Sequence, residues 1–227
     1  MSSMSVNAIP YPKALVTKLG TQLIAKDLPE KIVELNELLD SSMFKEVQQE
    51  QGTPVLPSAG KVEGQGDGCT HDQHLRKLAR PVPCEKAVCE MMEVVKPILR
   101  TLIANANLFN LWVSSMIPER VSGDSLGVSI QKHVQEEIVK VQSEADAYFE
   151  KFLKYFDTRA KAARIASEYP HVEECGKLVV EIDQINILYL QNIVREVRNF
   201  YSLLHDLGTK NWDKLQNGQS SNTNGYH

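Results

Sequence analysis

Four long stretches of the 227-residue sequence carry apolar residues at every third or fourth position, the spacing of one face of an α-helix. They run from about Pro12 to Gln51, from Cys84 to Ile117, from Ser125 or Leu126 to just before Tyr169, and from Val172 to Leu215. Helices of roughly 30–40 residues are about 45–60 Å long and bury their apolar stripes side by side. With few strand signals, the pattern predicts an all-α fold, an elongated up-down four-helix bundle.

Prolines predict where these helices bend or end. Asp27-Leu28-Pro29 interrupts the first pattern, so we expect one kinked helix or two short helices in series. Asp27 is then a candidate N-cap of the second piece, with Glu30 in its first turn. Pro97 is expected to bend the second helix locally, and Pro118 to end it.

The remaining segments are poor in large apolar residues. Residues 52–83 are punctuated by proline and glycine, which predicts a flexible loop of about thirty residues. Residues 1–11 and the polar segment 216–227 are expected to be a flexible N-terminus and a flexible tail. The bundle is therefore assigned to residues 12–51 for helix 1 and to residues 84–215 for helices 2–4.

Several apolar residues lie off the main stripes of the predicted helices. A second apolar face on a bundle helix favours packing against a neighbouring subunit, and a broad core face is the alternative interpretation. The residues concerned include Trp112, Ile130, Leu188 and Leu190.

Charge and hydropathy exclude several functional classes. The net charge of -4 argues against nucleic acid as a partner. No apolar run is long enough to cross a membrane, and the N-terminus does not read as a secretory signal. We therefore expect a protein inside the cell, with its four cysteines as thiols.

A search for catalytic chemistry finds no nucleotide-binding, hydrolase or zinc-protease motif, so no catalytic residue and no cofactor is predicted. The only cluster of metal-capable side chains is Cys69, His71 and His74, which lacks a fourth ligand and lies in the predicted loop. A metal- or thiol-dependent enzyme built on it remains an alternative. Cys84 and Cys89 are five positions apart, unlike the C-x-x-C spacing of redox and zinc sites.

The connection between helices 2 and 3, residues 117–128, carries more features than a plain turn needs. Asp124 or Ser125 as N-cap would account for Gly123 and Asp124, but not for Glu119, Arg120 and the apolar Val121.

This connection resembles a known family. The run IPERVSGDSLGVSIQ is similar to the I-P-R-I-E-D-G-N-N-F-G-V-[AS]-[IV]-Q segment of the 11S proteasome regulators, also called REG proteasome activators. Segments at 28–39, 95–98, 159–161, 169–173, 181–183 and 198–199 are similar to family segments in the same order. The runs at 158–161, 169–172 and 143–145 favour its gamma-type subunit.

The resemblance implies a non-enzymatic subunit of a ring-shaped homoheptamer that caps the proteasome core particle and opens its gate without ATP, in the nucleus or the cytoplasm. The tail docks in pockets between the core α-subunits; here its residues are Gly225, Tyr226 and the carboxylate-bearing His227. The helix 2–helix 3 loop then opens the gate. Its residues here are Pro118, Glu119, Arg120, Val121, Ser122, Gly123, Asp124, Ser125, Leu126 and Gly127.

The sequence departs from the family pattern at both elements. Val121 and Ser122 replace two acidic residues, which predicts weaker or differently tuned gate opening. Tyr226 is penultimate where vertebrate members end in tyrosine. The alternative function is therefore a helical oligomeric scaffold that binds the core particle without opening the gate.

Overall fold

The computed structural model describes residues 12–45, 84–116 and 126–216, which form six α-helices and one π-helical turn. No strand occurs within these three ranges, which confirms the all-α prediction. Nor does any helix in them have the length and apolarity to cross a membrane. The α-helices are α1 Lys13–Gln22, α2 Leu28–Asp40, α3 Lys86–Met116, α4 Leu126–Glu168, α5 Glu173–Lys210 and α6 Trp212–Gln216.

The predicted break at Pro29 is a widened helical turn. Residues Leu23–Asp27 form a π-helix between α1 and α2, in which the Leu28 amide donates to the Leu23 carbonyl five residues earlier. The wider turn relieves the clash that a proline makes with the preceding turn. Asp27 keeps a helical backbone and makes no capping hydrogen bond, so its prediction as an N-cap is wrong. Glu30 lies in the first turn of α2, as predicted.

The first helical stretch ends earlier than its periodicity predicts. α2 stops at Asp40, where Ser41 has an extended backbone and its hydroxyl donates to the Leu38 carbonyl over 2.6 Å. A turn through Lys45 then buries Phe44 against the core. The apolar pattern beyond Asp40 therefore reflects a packed turn and not further helix, and residues 46–51 lie outside the described ranges.

The bounds of α3 and α4 agree with the sequence prediction, whereas α5 ends at Lys210, five residues before the predicted Leu215. α3 continues through Pro97 without interruption, and α5 continues through Gly208 to Lys210. Gly208 is buried against the Ile24 side chain, which explains a small residue near the end of α5. After a turn at Asn211, the short helix α6 completes the fourth stretch.

The core lies along the axis of the bundle, where α3 packs against α1, α4 and α5, and α2 packs against α5. Trp112 and Leu190 are fully buried there, so their predicted exposure to a neighbouring subunit is wrong. Both belong to broad core faces, because α3 and α5 each have several neighbours. Ile130 is half-buried against the core, while Leu188 stays 52% exposed. Fully buried residues of α3 include Val95, Leu99, Leu102, Ala106, Phe109 and Val113.

The backbone of α1 approaches a core side chain closely at Gly20. A Cβ atom at Gly20 would lie 2.2 Å from Cγ of the buried Trp112. We therefore expect Gly20→Ala to lower the free energy of unfolding by about 1–3 kcal/mol, although alanine is the better helix former. Thermal unfolding at fixed protein concentration measures this change.

Gly208→Ala is the matched control, because its added methyl meets only the Ile24 side chain at 3.0 Å and that side chain can move. Gly208→Ala should lower the free energy of unfolding by less than Gly20→Ala does. Equal stability of Gly20→Ala and the parent chain would contradict the packing of α1 on Trp112.

Candidate functional site

Three chain segments converge on one end of the bundle, which we call the loop end. α3 ends there at Met116, α4 begins there at Leu126, and α6 ends there at Gln216. α6 reaches this end because the turn at Asn211 folds it onto α3, α4 and α5. Residues 117–125 and 217–227 therefore both leave the described bundle from the loop end.

Two tryptophans hold α6 in place. The rings of Trp112 on α3 and Trp212 on α6 stack with centroids 5.5 Å apart and an interplanar angle of 25°. Leu215 is fully buried, and its carbonyl accepts a hydrogen bond from Nε2 of the buried Gln131 on α4 over 3.5 Å. The end of α6 is thus anchored within two turns of the start of α4.

Polar side chains fix α4 against α3 on the core side of the connection. Gln135 Nε2 donates to Ser114 Oγ over 2.8 Å and to Asn110 Oδ1 over 3.2 Å. About two turns further along α4, Gln142 Nε2 donates to Asn107 Oδ1 over 2.7 Å. These directional bonds set the register of the two helices, so Met116 and Leu126 are held at a fixed separation.

Two buried polar atoms at the loop end lack a hydrogen-bond partner among the described residues. They are Trp112 Nε1 and Gln131 Oε1, which come from the two side chains that seat α6. A buried polar atom without a partner costs free energy and contributes no hydrogen bond. Apolar packing and the stacking of the two tryptophan rings therefore have to stabilise this end of the core.

Most of the residues that the sequence singles out lie outside the described ranges. The sequence prediction placed Leu126 and Gly127 in the connection, whereas the structure has them as the first two residues of α4. The others outside the described ranges are Pro118, Glu119, Arg120, Val121, Ser122, Gly123, Asp124 and Ser125, then Gly225, Tyr226 and His227, and finally Cys69, His71 and His74.

Sequence reasoning missed the residues that organise the loop end. Trp212 was not singled out, and Gln131 and Leu215 entered only as the ends of a family-like run and of a helical pattern. For Trp112 a subunit surface was favoured, with a broad core face as the alternative. One signal was available: Trp112 and Trp212 are the two tryptophans of the chain, each close in sequence to a segment of interest. Periodicity alone does not reveal that two such rings stack.

Within the described ranges, no three metal-capable side chains come together. The nearest shifted titratable pair is an exposed ion pair on α4, where a hydrogen bond from Lys140 lowers the pKa of Glu137 and the same bond raises the pKa of Lys140. What the geometry supplies is a frame that holds Met116, Leu126 and Gln216 at one end of the bundle.

The fold defines an all-α four-helix scaffold whose described segments converge at the loop end, and comparisons with known proteins give the family. Residues 12–53 match the family model "Proteasome activator PA28, N-terminal", and residues 81–225 match "Proteasome activator PA28, C-terminal". The chain belongs to this family, whose members are regulators and not enzymes.

Individual relatives agree with the family models. The chain is 31% identical to human proteasome activator complex subunit 3, with 91% of this chain and 90% of the relative covered. It is 40% identical to the chicken subunit 3 over 59% of this chain and 52% of the relative. Subunit 3 is the gamma-type subunit, so the resemblance seen in the sequence is confirmed.

A solved structure confirms the fold. The "11S subunit of the Plasmodium falciparum proteasome, PA28" superposes with a TM-score of 0.68 at 24% identity, covering 90% of this chain and 89% of that one. The four-helix-bundle prediction is thereby supported by both the helices and this likeness.

Proposed function

We propose that this chain is an ATP-independent activator of the proteasome core particle. In this proposal a homoheptameric ring docks on the α-subunit ring of the core particle through its C-terminal tails. The connection between α3 and α4 then opens the axial gate, and peptide hydrolysis by the core particle rises. The ring works inside the cell, in the nucleus or the cytoplasm.

The observation that carries the proposal is the common exit of the two segments at the loop end. Met116, Leu126 and Gln216 lie at the same end of the bundle, held by the Trp112–Trp212 stack and the Gln131–Leu215 contact. A ring of such subunits would present every tail and every connection on one face. That placement suits a cap that binds a flat partner surface and acts on its centre.

The tail is suited to act as one of several identical ligands on an assembled ring. Residues 217–227 can span at most about 36–40 Å, enough to enter a pocket on a partner that faces the loop end. Tyr226 supplies apolar area with a polar tip, and His227 carries the adjacent carboxylate. One tail binds weakly because ordering it costs entropy, whereas several tails on one ring gain from effective concentration.

The connection is rigidly supported by the two helices that it joins. It joins two helices whose register is fixed by Gln135 and Gln142, so a force on its tip is resisted by the whole bundle. Pro118 restricts its backbone at one side, and Gly123 permits a tight turn. We propose Pro118–Gly127 as the element that acts on the gate.

Exposed apolar stripes on α4 and α5 support assembly into a ring. On α5, Leu178, Ile185 and Leu188 share one helical face and are 47%, 54% and 52% exposed. On α4, Leu153 is 72% exposed and Phe156 is 41% exposed. Such stripes on a single chain are typical of surfaces that a neighbouring subunit covers.

Hydrolysis of a fluorogenic peptide by purified cognate core particle tests the proposal. We expect the full-length chain to raise the rate without ATP. Absence of stimulation together with absence of binding would contradict the proposed function.

A second candidate function is a scaffold that binds without opening the gate, favoured by Val121 and Ser122 in the connection. Binding of an assembled ring without any rise in hydrolysis would select this alternative. An enzyme based on Cys69, His71 and His74 would instead require stoichiometric zinc or a reactive thiol, which metal analysis and thiol titration detect.

A further inference from the structure

Two cysteine thiols meet at the end of the bundle opposite the loop end. Cys84 precedes α3 and is exposed, while Cys89 lies in the first turn of the helix and is half-buried. The Cys89 thiol donates to Cys84 Sγ, with the two sulfur atoms 2.9 Å apart. A disulfide bond is about 2.05 Å long, so the sulfurs need to approach by less than about 1 Å to bond.

The position of Cys84 just outside α3 allows this contact. Residues five apart on a regular helix do not face each other. Cys84 lies outside the helix, which begins at Lys86, so its backbone can bring its side chain back over the first turn. The amide of Cys89 donates to the Glu85 carbonyl over 3.2 Å, which fixes the position of Cys89.

A buried ion pair lies beneath the two thiols. Arg159 Nε on α4 donates to Asp183 Oδ1 on α5 over 2.8 Å, and the Tyr155 hydroxyl donates to the same oxygen over 2.7 Å. The Tyr155 oxygen lies 3.9 Å from Cys84 Sγ. Burial and the bond to Asp183 raise the pKa of Tyr155, so its hydroxyl stays protonated.

The two sulfurs have different roles in this environment. The hydrogen bond to Cys84, followed by burial, raises the pKa of Cys89 to about 11. Cys89 is therefore a protonated donor at neutral pH, and Cys84 is the acceptor. Cys84 is also the more exposed of the two sulfurs, so an oxidant in solvent reaches it first.

We propose that Cys84 and Cys89 form a dithiol site that a peroxide oxidises to a reversible intrachain disulfide. The Cys84 thiolate attacks one peroxide oxygen, the O–O bond breaks, and the departing hydroxide takes up a proton as water. The product is a sulfenic acid on Cys84. Cys89 then loses its proton, its sulfur attacks Cys84 Sγ, the S–O bond breaks, and a second water leaves.

The balance is two thiols and one hydrogen peroxide giving one disulfide and two waters. The sulfur pair loses two electrons and the peroxide gains them. The disulfide ties the residue before α3 to the first turn of that helix. This inference does not depend on the proposed function, because the site lies at the opposite end of the bundle from the loop end.

The test uses the full-length chain, hydrogen peroxide and an alkylating reagent, with peptide mass spectrometry as the readout. We expect the peptide that holds both cysteines to lose two hydrogen atoms, and dithiothreitol to restore them. Loss of free Cys84 should be at least about tenfold faster than loss of Cys175, the half-buried thiol near the start of α5 that serves as internal control.

Two serine variants assign the roles of the sulfurs. In Cys89→Ser, a dimedone adduct should accumulate on Cys84, because the resolving sulfur is gone. In Cys84→Ser, Cys89 should react no faster than Cys175. A disulfide to any other cysteine, or equal oxidation rates for Cys84 and Cys175, would overturn the proposal.

Discussion

A chain that ends at Gln216 should lose binding to the core particle and, with it, all stimulation of peptide hydrolysis. The truncation removes residues 217–227 but keeps Trp212 and Leu215, so the packing of α6 on α3 and α4 is preserved. Because multivalent binding fails when every tail is lost, the expected effect is complete and not partial. Native electrophoresis with the core particle and hydrolysis of a fluorogenic peptide measure the two losses.

A shorter deletion tests whether the last two residues of the tail, and not only its length, are needed for binding. Removing Tyr226 and His227 alone should abolish binding as well. Tyr226→Phe keeps the aromatic side chain and removes only its hydroxyl, so it serves as the milder control. Circular dichroism should show an unchanged helical signal in all three variants. Undiminished binding by the chain that ends at Gln216 would contradict docking through the tail.

Substitution of Gly123 or Asp124 should separate binding from activation. Both lie in the connection between α3 and α4, and neither belongs to the tail. We expect Gly123→Val or Asp124→Ala to bind the core particle as the parent chain does, while hydrolysis falls to near the rate of the core particle alone. The reason is that the connection acts on the gate only after the tails have docked.

Ser167→Ala is the control for this pair, since Ser167 is exposed at the opposite end of α4 and bonds only locally to the Ala163 carbonyl. It should bind and stimulate like the parent chain. Full stimulation by both Gly123→Val and Asp124→Ala would contradict the role of the connection.

Periodicity predicted the long helices well because their apolar stripes are set by the helix repeat itself. α3 and α4 begin and end within two residues of the predicted bounds, and Pro118 and Tyr169 mark their ends in the sequence. The end of α2 was missed because Phe44 continues the apolar spacing while the backbone has already turned at Ser41.

Packing decided the features that local rules got wrong. Asp27 has the side chain of a good N-cap, but the π-helical turn keeps its backbone helical and leaves it nothing to cap. Trp112 lies off the stripe of α3, yet α1 and α6 cover that side of the helix. A rule that assigns one core face to each helix does not predict that two further helices bury a second face.

The loop end and the Cys84–Cys89 pair differ in how much of each could be predicted from the sequence. The loop and the tail were found by resemblance, whereas the frame that brings their starting points together depends on the long-range contacts Trp112–Trp212 and Gln131–Leu215. The Cys84–Cys89 pair was set aside because its spacing is not C-x-x-C. Cys84 lies outside α3, however, and its side chain meets the first turn of the helix, where the two sulfur atoms are 2.9 Å apart.

The native mass of the purified protein, measured alone and with core particle, tests the central claim most directly. We expect a ring of about 180 kDa, seven copies of the 25.5 kDa chain, that shifts to a larger complex when core particle is added. A species of 25.5 kDa that leaves the core particle unchanged would contradict the account.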